Sequence, residues 1–156
     1  MPILQKLAEE TRFRLRVIAS GGYSMPGVDV ESIVWQSARE LDDLRPIEVG
    51  MMPLPDNAWT RGKCGFKALQ FMALGVPCVC SPVGVNATII QDGVNGFLAG
   101  TPEEWLLRLK RLLEDPGLRA RMGEEARRTV VERFSAAVHV PRVFAIFKSV
   151  VERGRG

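Results

Sequence analysis

The chain is poor in several things that would narrow its chemistry. Its 156 residues include one histidine, His139, and three cysteines, Cys64, Cys78 and Cys80. Three cysteines so spaced make no disulfide framework, and they read as buried, reduced thiols. Cys-x-Cys at 78 and 80 has only His139 to join it, so no metal and no other cofactor is expected. No apolar run reaches the roughly 18 residues of a membrane span, and "MPILQKLAEETRF" lacks a signal peptide's apolar core, which points to the cytoplasm. Neither a P-loop nor G-x-G-x-x-G is present.

Charge is ordinary in amount and uneven in place. The formal net charge is +3, with 9 Lys/Arg against 10 Asp/Glu in residues 1–100 and 12 against 8 in residues 101–156. The tail's basic residues are interleaved with Glu at helical spacing, as on a solvated helix face, so no nucleic-acid partner is expected.

Hydrophobic periodicity orders the rest. "ILQKLAEE" has helical spacing and reads as a truncated first helix. "RFRLRVIAS", "VDVESIVW", "IEVGMMPL", "PCVCS" and "NGFLA" read as five strands, the third apolar enough to be buried on both faces. "SARELDDL" reads as a short helix with a capping box from Ser37 to Glu40. A helix is expected from about Lys63 to Leu74, ended by Gly75 and Pro77, and a short one in "VNATIIQDG". Thr101 caps an amphipathic helix over "PEEWLLRLKRLLEDP". "GLRARMGEEARRTVVERF" makes one or two more, and a last helix is interrupted at Pro141. Strands separated by helices imply a doubly wound α/β fold with a parallel sheet and C-terminal helices, in one domain over residues 1–156. Ligands of such sheets bind beyond the carboxyl ends of the strands.

One stretch conflicts with ordinary helix chemistry. "RGKCGFKALQ" crowds Arg61, Lys63 and Lys67 at a helix start, where the dipole already supplies partial positive charge. Phe66, Leu69, Met72 and Ala73 form the expected apolar stripe; Lys63, Lys67 and Gln70 lie at i, i+4 and i+7 on a polar face. Gly65 leaves room for a ligand beside the backbone. The amides of Gly65 and Phe66, the two lysines and Arg61 together suit a phosphate or diphosphate. "SPVGVN" brings Gly84 and Asn86 to the same rim, as "SGG" at 20–22 does after the first strand. The bland alternative is that the lysines solubilise an exposed helix. Of the tryptophans, Trp35 is placed to stack on a base or to pack, Trp59 to cover the cleft or to staple its loop, and Trp105 to fill the core.

The run "GFKALQFMALGVPCVCSPVGVNATIIQDGVNGFLA", followed by "EEWLLRLKRLLEDP" and "RMGEEARRTVVERFS", resembles the C-terminal, donor-binding domain of retaining GT-B glycosyltransferases of family 4. The similarity extends back to "VGMMPLPDNAWTRGKCGFKALQ". It implies a Rossmann-like half of a GT-B fold and a nucleotide-diphosphate sugar (UDP or GDP) as donor substrate. By the same resemblance the backbone at Gly65 and Phe66 holds the diphosphate, Trp35 lies near the base, and Gln70 stands where a glutamate binds the ribose. Both carboxylates of the family's Glu-x7-Glu pattern are absent, because Gly62 and Gln70 occupy the positions. Either Lys63, Asp56 or a neighbouring loop group then contacts the sugar, or the sugar specificity differs. Lys63 and Lys67 are the candidates for stabilising the leaving diphosphate, the catalytic role left to the protein when no base is present.

The resemblance also implies absences. An N-terminal acceptor domain is missing, and so is the first strand of the donor domain, which leaves an apolar sheet edge open to association between copies. Alone the chain is expected not to turn over. A nucleotide-sugar epimerase of the same fold would want acidic or histidine side chains in the cleft. A non-catalytic module, its tail helices on an anionic membrane or a partner, is the alternative of a different class.

Overall fold

The computed structural model describes residues 2–154. The expected alternation of strands and helices is present. Helix α1 (Pro2–Glu10) leads into β1 (Arg14–Ala19), which pairs in parallel with β2 (Asp29–Val34). A single 3₁₀ turn (Ser37–Arg39) and α2 (Glu40–Leu44) return the chain to β3 (Gly50–Met52). The short α3 (Ala58–Arg61) and then α4 (Phe66–Ala73) lead to β4 (Cys78–Cys80); α5 (Asn86–Ile89) leads to β5 (Phe97–Leu98). Three helices close the chain: α6 (Pro102–Glu114), α7 (Pro116–Arg133) and α8 (Ala136–Arg153).

All pairings are parallel, but they form two sheets. Strands β1 and β2 make one, and β3, β4 and β5, in that order, make the other. The doubly wound architecture is therefore divided between β1 and β3. Strand β4 is wholly buried because it has a neighbour on each side and a helical layer on each face. Its Val79 joins a core of α1, α6 and α7 side chains, among them Leu7, Leu112 and Met122, together with Phe97 of β5. Its Cys78 and Cys80 point the other way, into a core with Ala68, Met72, Ile89 and Ala126. Period-2 alternation thus feeds two cores from three residues.

Several local expectations are corrected. The third strand is three residues long and half-buried beyond Gly50, since its free edge has no neighbour. No side chain caps the 3₁₀ turn or α2, so the Ser37–Glu40 box does not form; Glu40 is used elsewhere. The box from Thr101 to Glu104 does form. Helix α7 is single, and α8 runs through Pro141 without interruption. Cys64 is exposed, while Cys78 and Cys80 are buried with their sulfurs 3.7 Å apart.

Helix α8 contributes no buried residue. Val140, Val143, Phe144, Phe147, Val150 and Val151 are all exposed on it, at the three- and four-residue spacing of one apolar stripe. Within Pro116–Arg153, one unburied 18-residue window reaches a mean hydropathy of 1.4. That is enough by length and composition for a membrane span, contrary to the expectation from apolar runs alone. The stripe, with Arg142 and Lys148 between its members, has the amphipathic form of a helix that lies on a surface.

Candidate functional site

The loops after β3 and β4 meet at the carboxyl ends of the strands, where the Leu54 N–H donates to Ser81 Oγ at 2.9 Å. From there the chain enters α3, whose Asn57 cap and Thr60 bond each other reciprocally. The helix expected from Lys63 begins three residues later, at Phe66, and Lys63 and Cys64 lie in the connection. Gly65 makes the turn between the helices with φ +69°. A side chain there would also meet Ile89 Cδ1 at 2.5 Å, Val85 and Asn86. The open space expected beside Gly65 is therefore filled by α5, and the glycine serves packing and turn geometry.

The later start rotates α4. Its buried face is Ala68, Phe71 and Met72, and Phe66 is 57% exposed at the mouth. The apolar stripe assigned from sequence was thus displaced around the helix. Phe66 stands free, with the Lys67 ammonium 5.9 Å from its ring centre.

The three cations do not stand unneutralised. Arg61 donates to Asp56 through Nε at 2.6 Å and a terminal nitrogen at 3.1 Å. That pairing holds the Asp56 carboxyl below its ordinary range and raises the guanidinium. Lys67 Nζ lies 2.9 Å from Glu40 Oε1 and 2.8 Å from Gln70 Oε1. Its hydrogen bond is the chief reason the Glu40 carboxyl is held low, with Gln70 second and the Trp35 indole a smaller contributor. Among the described residues, Lys63 is the cation of this group that no carboxylate pairs. It is exposed.

The other sequence candidates divide the same way. Trp35 is exposed at the end of β2 and lines a cavity with Glu40 and Lys67, so it shares a rim with the α4 opening. Gln70 is half-buried and points its amide oxygen at Lys67. Asn86 is buried and donates to the Ser81 carbonyl at 3.1 Å; it fastens the β4–α5 turn. Gly84 has φ +56°, and a Cβ there would lie 2.6 Å from the Arg61 carbonyl oxygen, so it seats α3 on that turn. Trp59 is 81% exposed and staples nothing. Trp105 fills the core as expected, and His139 Nε2 donates to the Arg133 carbonyl, 2.9 Å away in the tail.

Sequence reasoning missed Glu40. It lies 27 residues before Lys67, in a segment read as a capping box, and no local pattern announces the contact. With Asp56, a candidate already named from the sequence, it puts two carboxylates at this rim. Among the described residues no cluster of His, Cys, Asp and Glu could hold a metal ion.

Comparison with known proteins gives this arrangement a context. Residues 59–129 match the family model described as glycosyl transferases group 1. The D-inositol 3-phosphate glycosyltransferase of Salinispora arenicola is 32% identical over 142 residues, covering 78% of this chain and 30% of that protein. The chain thus spans less than a third of that relative's length. Among solved structures, sucrose-phosphate synthase of Thermosynechococcus elongatus superposes with a TM-score of 0.77 at 16% identity, over 97% of this chain and 42% of that one. The C-terminal domain of a glycosyl transferase group 1 family protein from Francisella tularensis gives a TM-score of 0.59 at 19% identity, covering 69% and 55%. HepE of Anabaena, in complex with UDP and glucose, gives 0.59 at 18%, covering 80% and 32%.

Proposed function

We propose, from the premise that this chain belongs to the group 1 glycosyltransferases as their C-terminal domain of GT-B fold, that it holds the diphosphate of a nucleotide-sugar donor at the opening of α4. The observation that carries the reading is the arrangement of three cations around that opening. Lys63 is unpaired among the described residues, while Arg61 and Lys67 are held in place by Asp56 and Glu40. Two cations fixed by carboxylates keep local net charge low and lose little side-chain freedom on binding. The third is free to meet an anion beside the first amides of α4, which the helix leaves unpaired. HepE, of the same fold, is solved with UDP and glucose, which supports a nucleotide sugar as the ligand.

Within this reading Lys63 contacts the diphosphate directly. Lys67 reaches it by exchanging Glu40 for phosphate oxygens or, staying paired, orients Gln70 toward the ribose. Phe66 and Trp35 offer exposed rings on the same rim for the base. Transfer of a retained-configuration sugar needs charge on the leaving diphosphate to be stabilised, which aimed ammonium and amide groups supply. The acceptor would come from a further domain, and the chain alone would bind donor without turnover.

Titration with UDP and GDP, followed by amide shifts, tests the proposal. Shifts at Phe66, Lys67 and Ala68 that saturate with nucleotide support it. A second reading, docking on an anionic membrane, rests on the exposed stripe of α8; vesicles that perturb α8 while neither nucleotide perturbs α4 would favour it.

A further inference from the structure

A cavity of about 310 Å³ reaches the carboxyl ends of three strands. Ile18 near the end of β1, Trp35 directly after β2 and Pro53 directly after β3 all line it. Leu44 and Phe71 add apolar wall, and its charged lining residues are Arg16, Glu40 and Lys67. Arg16 is committed to Glu31 and to the Asp43 carbonyl, each at 2.9 Å. Trp35 is exposed, and the Lys67 and Glu40 side chains are 52% and 27% exposed, so these three stand at the mouth.

The mouth joins a flat ring to a fixed acceptor. The Trp35 N–H donates to the Ala19 carbonyl at 2.8 Å, which sets where the indole leaves the sheet. Glu40 is held ionised, chiefly by the Lys67 hydrogen bond and less by Gln70 and the indole. An ionised carboxylate only accepts, and it does so through both oxygens. Lys67 bonds it at Oε1, which leaves Oε2 for further donors. We infer, on the donor-binding reading above, that this mouth takes the nucleotide's base and selects guanine. Trp35 lies against the ring, and Glu40 accepts from N1–H and the 2-amino group, so the donor substrate is a guanosine diphosphate sugar.

The chemistry of the bases decides between them. Guanine alone among the common four carries two neighbouring donors on one edge. Uracil has one N–H between two carbonyls, so a carboxylate that meets the N–H also faces a carbonyl oxygen. Adenine and cytosine each set a single amino group beside an unprotonated ring nitrogen, which the carboxylate repels. Guanine also has a carbonyl next to its two donors, which suits the ammonium held against the same carboxylate. Position agrees as well. Lys67 is the second residue of α4, so the mouth borders the helix opening assigned to the diphosphate.

Calorimetric titration of the full chain with GDP, IDP and UDP tests this. The three share ribose and diphosphate, and IDP is GDP without the 2-amino group. GDP should bind tightest, with IDP weaker by about three- to tenfold and UDP by about tenfold or more. The affinity left to UDP comes from its diphosphate. In Glu40→Gln the preference for GDP over UDP should collapse. Xanthosine diphosphate, with a carbonyl where guanine has its 2-amino group, should then overtake GDP, because the amide donates where the carboxylate accepted. A damaged fold would gain no new ligand. UDP binding as tightly as GDP overturns the inference and leaves the donor reading standing. A preference for GDP that survives Glu40→Gln does the same. No heat from any of these nucleotides overturns the donor reading, and the choice of base with it.

Discussion

Two halves of this molecule obey the same pairing rule and reach different ends. Both sheets are parallel, both have apolar strands, and both stand next to helices. In the β3–β4–β5 half, β4 is completely buried, and its three residues feed two separate cores. In the β1–β2 half only Leu15 is buried, and Arg16 through Ala19 are half-exposed. Apart from Arg16, the residue types do not explain this: "VIA" at 17–19 is no more polar than "CVC" at 78–80. Position does. A parallel strand is buried only when both edges and both faces are covered, and β1 lacks a neighbour on the side that β4 has filled.

The largest test of that contrast is a pair of truncations read by urea unfolding. Phe97→Ala, at a site 1% exposed in β5, should cost about 3–5 kcal/mol. Val17→Ala in half-buried β1 should cost about 1 kcal/mol, because less of its area leaves water on folding. Equal losses would mean that the two halves are packed alike. Next in size is Gly84→Ala. With a positive φ and the Arg61 carbonyl in the way of its Cβ, it should lose about 1–3 kcal/mol and disorder α3, which amide spectra of Ala58–Arg61 would reveal.

Smaller effects sharpen the picture at the helix starts. Thr101→Ala should cost about 1 kcal/mol by removing the α6 cap, measured in the same urea series. The Glu104 carboxyl is held low, chiefly by the Gly100 N–H and then the Thr101 N–H. A depressed carboxyl stabilises the fold above its unfolded pKa and loses that contribution as pH falls through the folded value. Acid unfolding followed by circular dichroism should therefore show a smaller loss of stability below about pH 4.3 in Glu104→Gln than in the parent. The Glu40–Lys67 contact carries the same sign: it is intact at neutral pH and is released only below the ordinary carboxylate range.

The sequence was informative where the physics is local. Hydrophobic period and turn residues gave all five strands and every helix but α3, whose residues read as a loop, and the Thr101 cap was readable because its partner lies three residues away. Burial of Trp105 and the tail position of His139 were readable for the same reason. What failed was non-local. Lys67 meets Glu40 across 27 residues, so its neutralisation could not be seen. Gly65 is needed because α5 packs on it, and no pattern near residue 65 refers to residues 85–89. The start of α4 moved by three residues, and with it the buried face moved from Phe66 to Ala68 and Phe71. The break between β1 and β3 also escaped, since five well-formed strand patterns do not reveal which edges meet.

The contrast between paired and unpaired cations at the α4 opening is decided by calorimetric titration of UDP into the chain and into its Lys63→Ala and Lys67→Ala variants. A hydrogen bond to a charged group is worth about 1.5–3 kcal/mol, so Lys63→Ala should weaken binding about tenfold or more, with a smaller loss for Lys67→Ala because the Lys67 ammonium is already engaged by Glu40. Affinities that are unchanged by Lys63→Ala, or a UDP titration with no binding heat in the parent chain, would contradict the account.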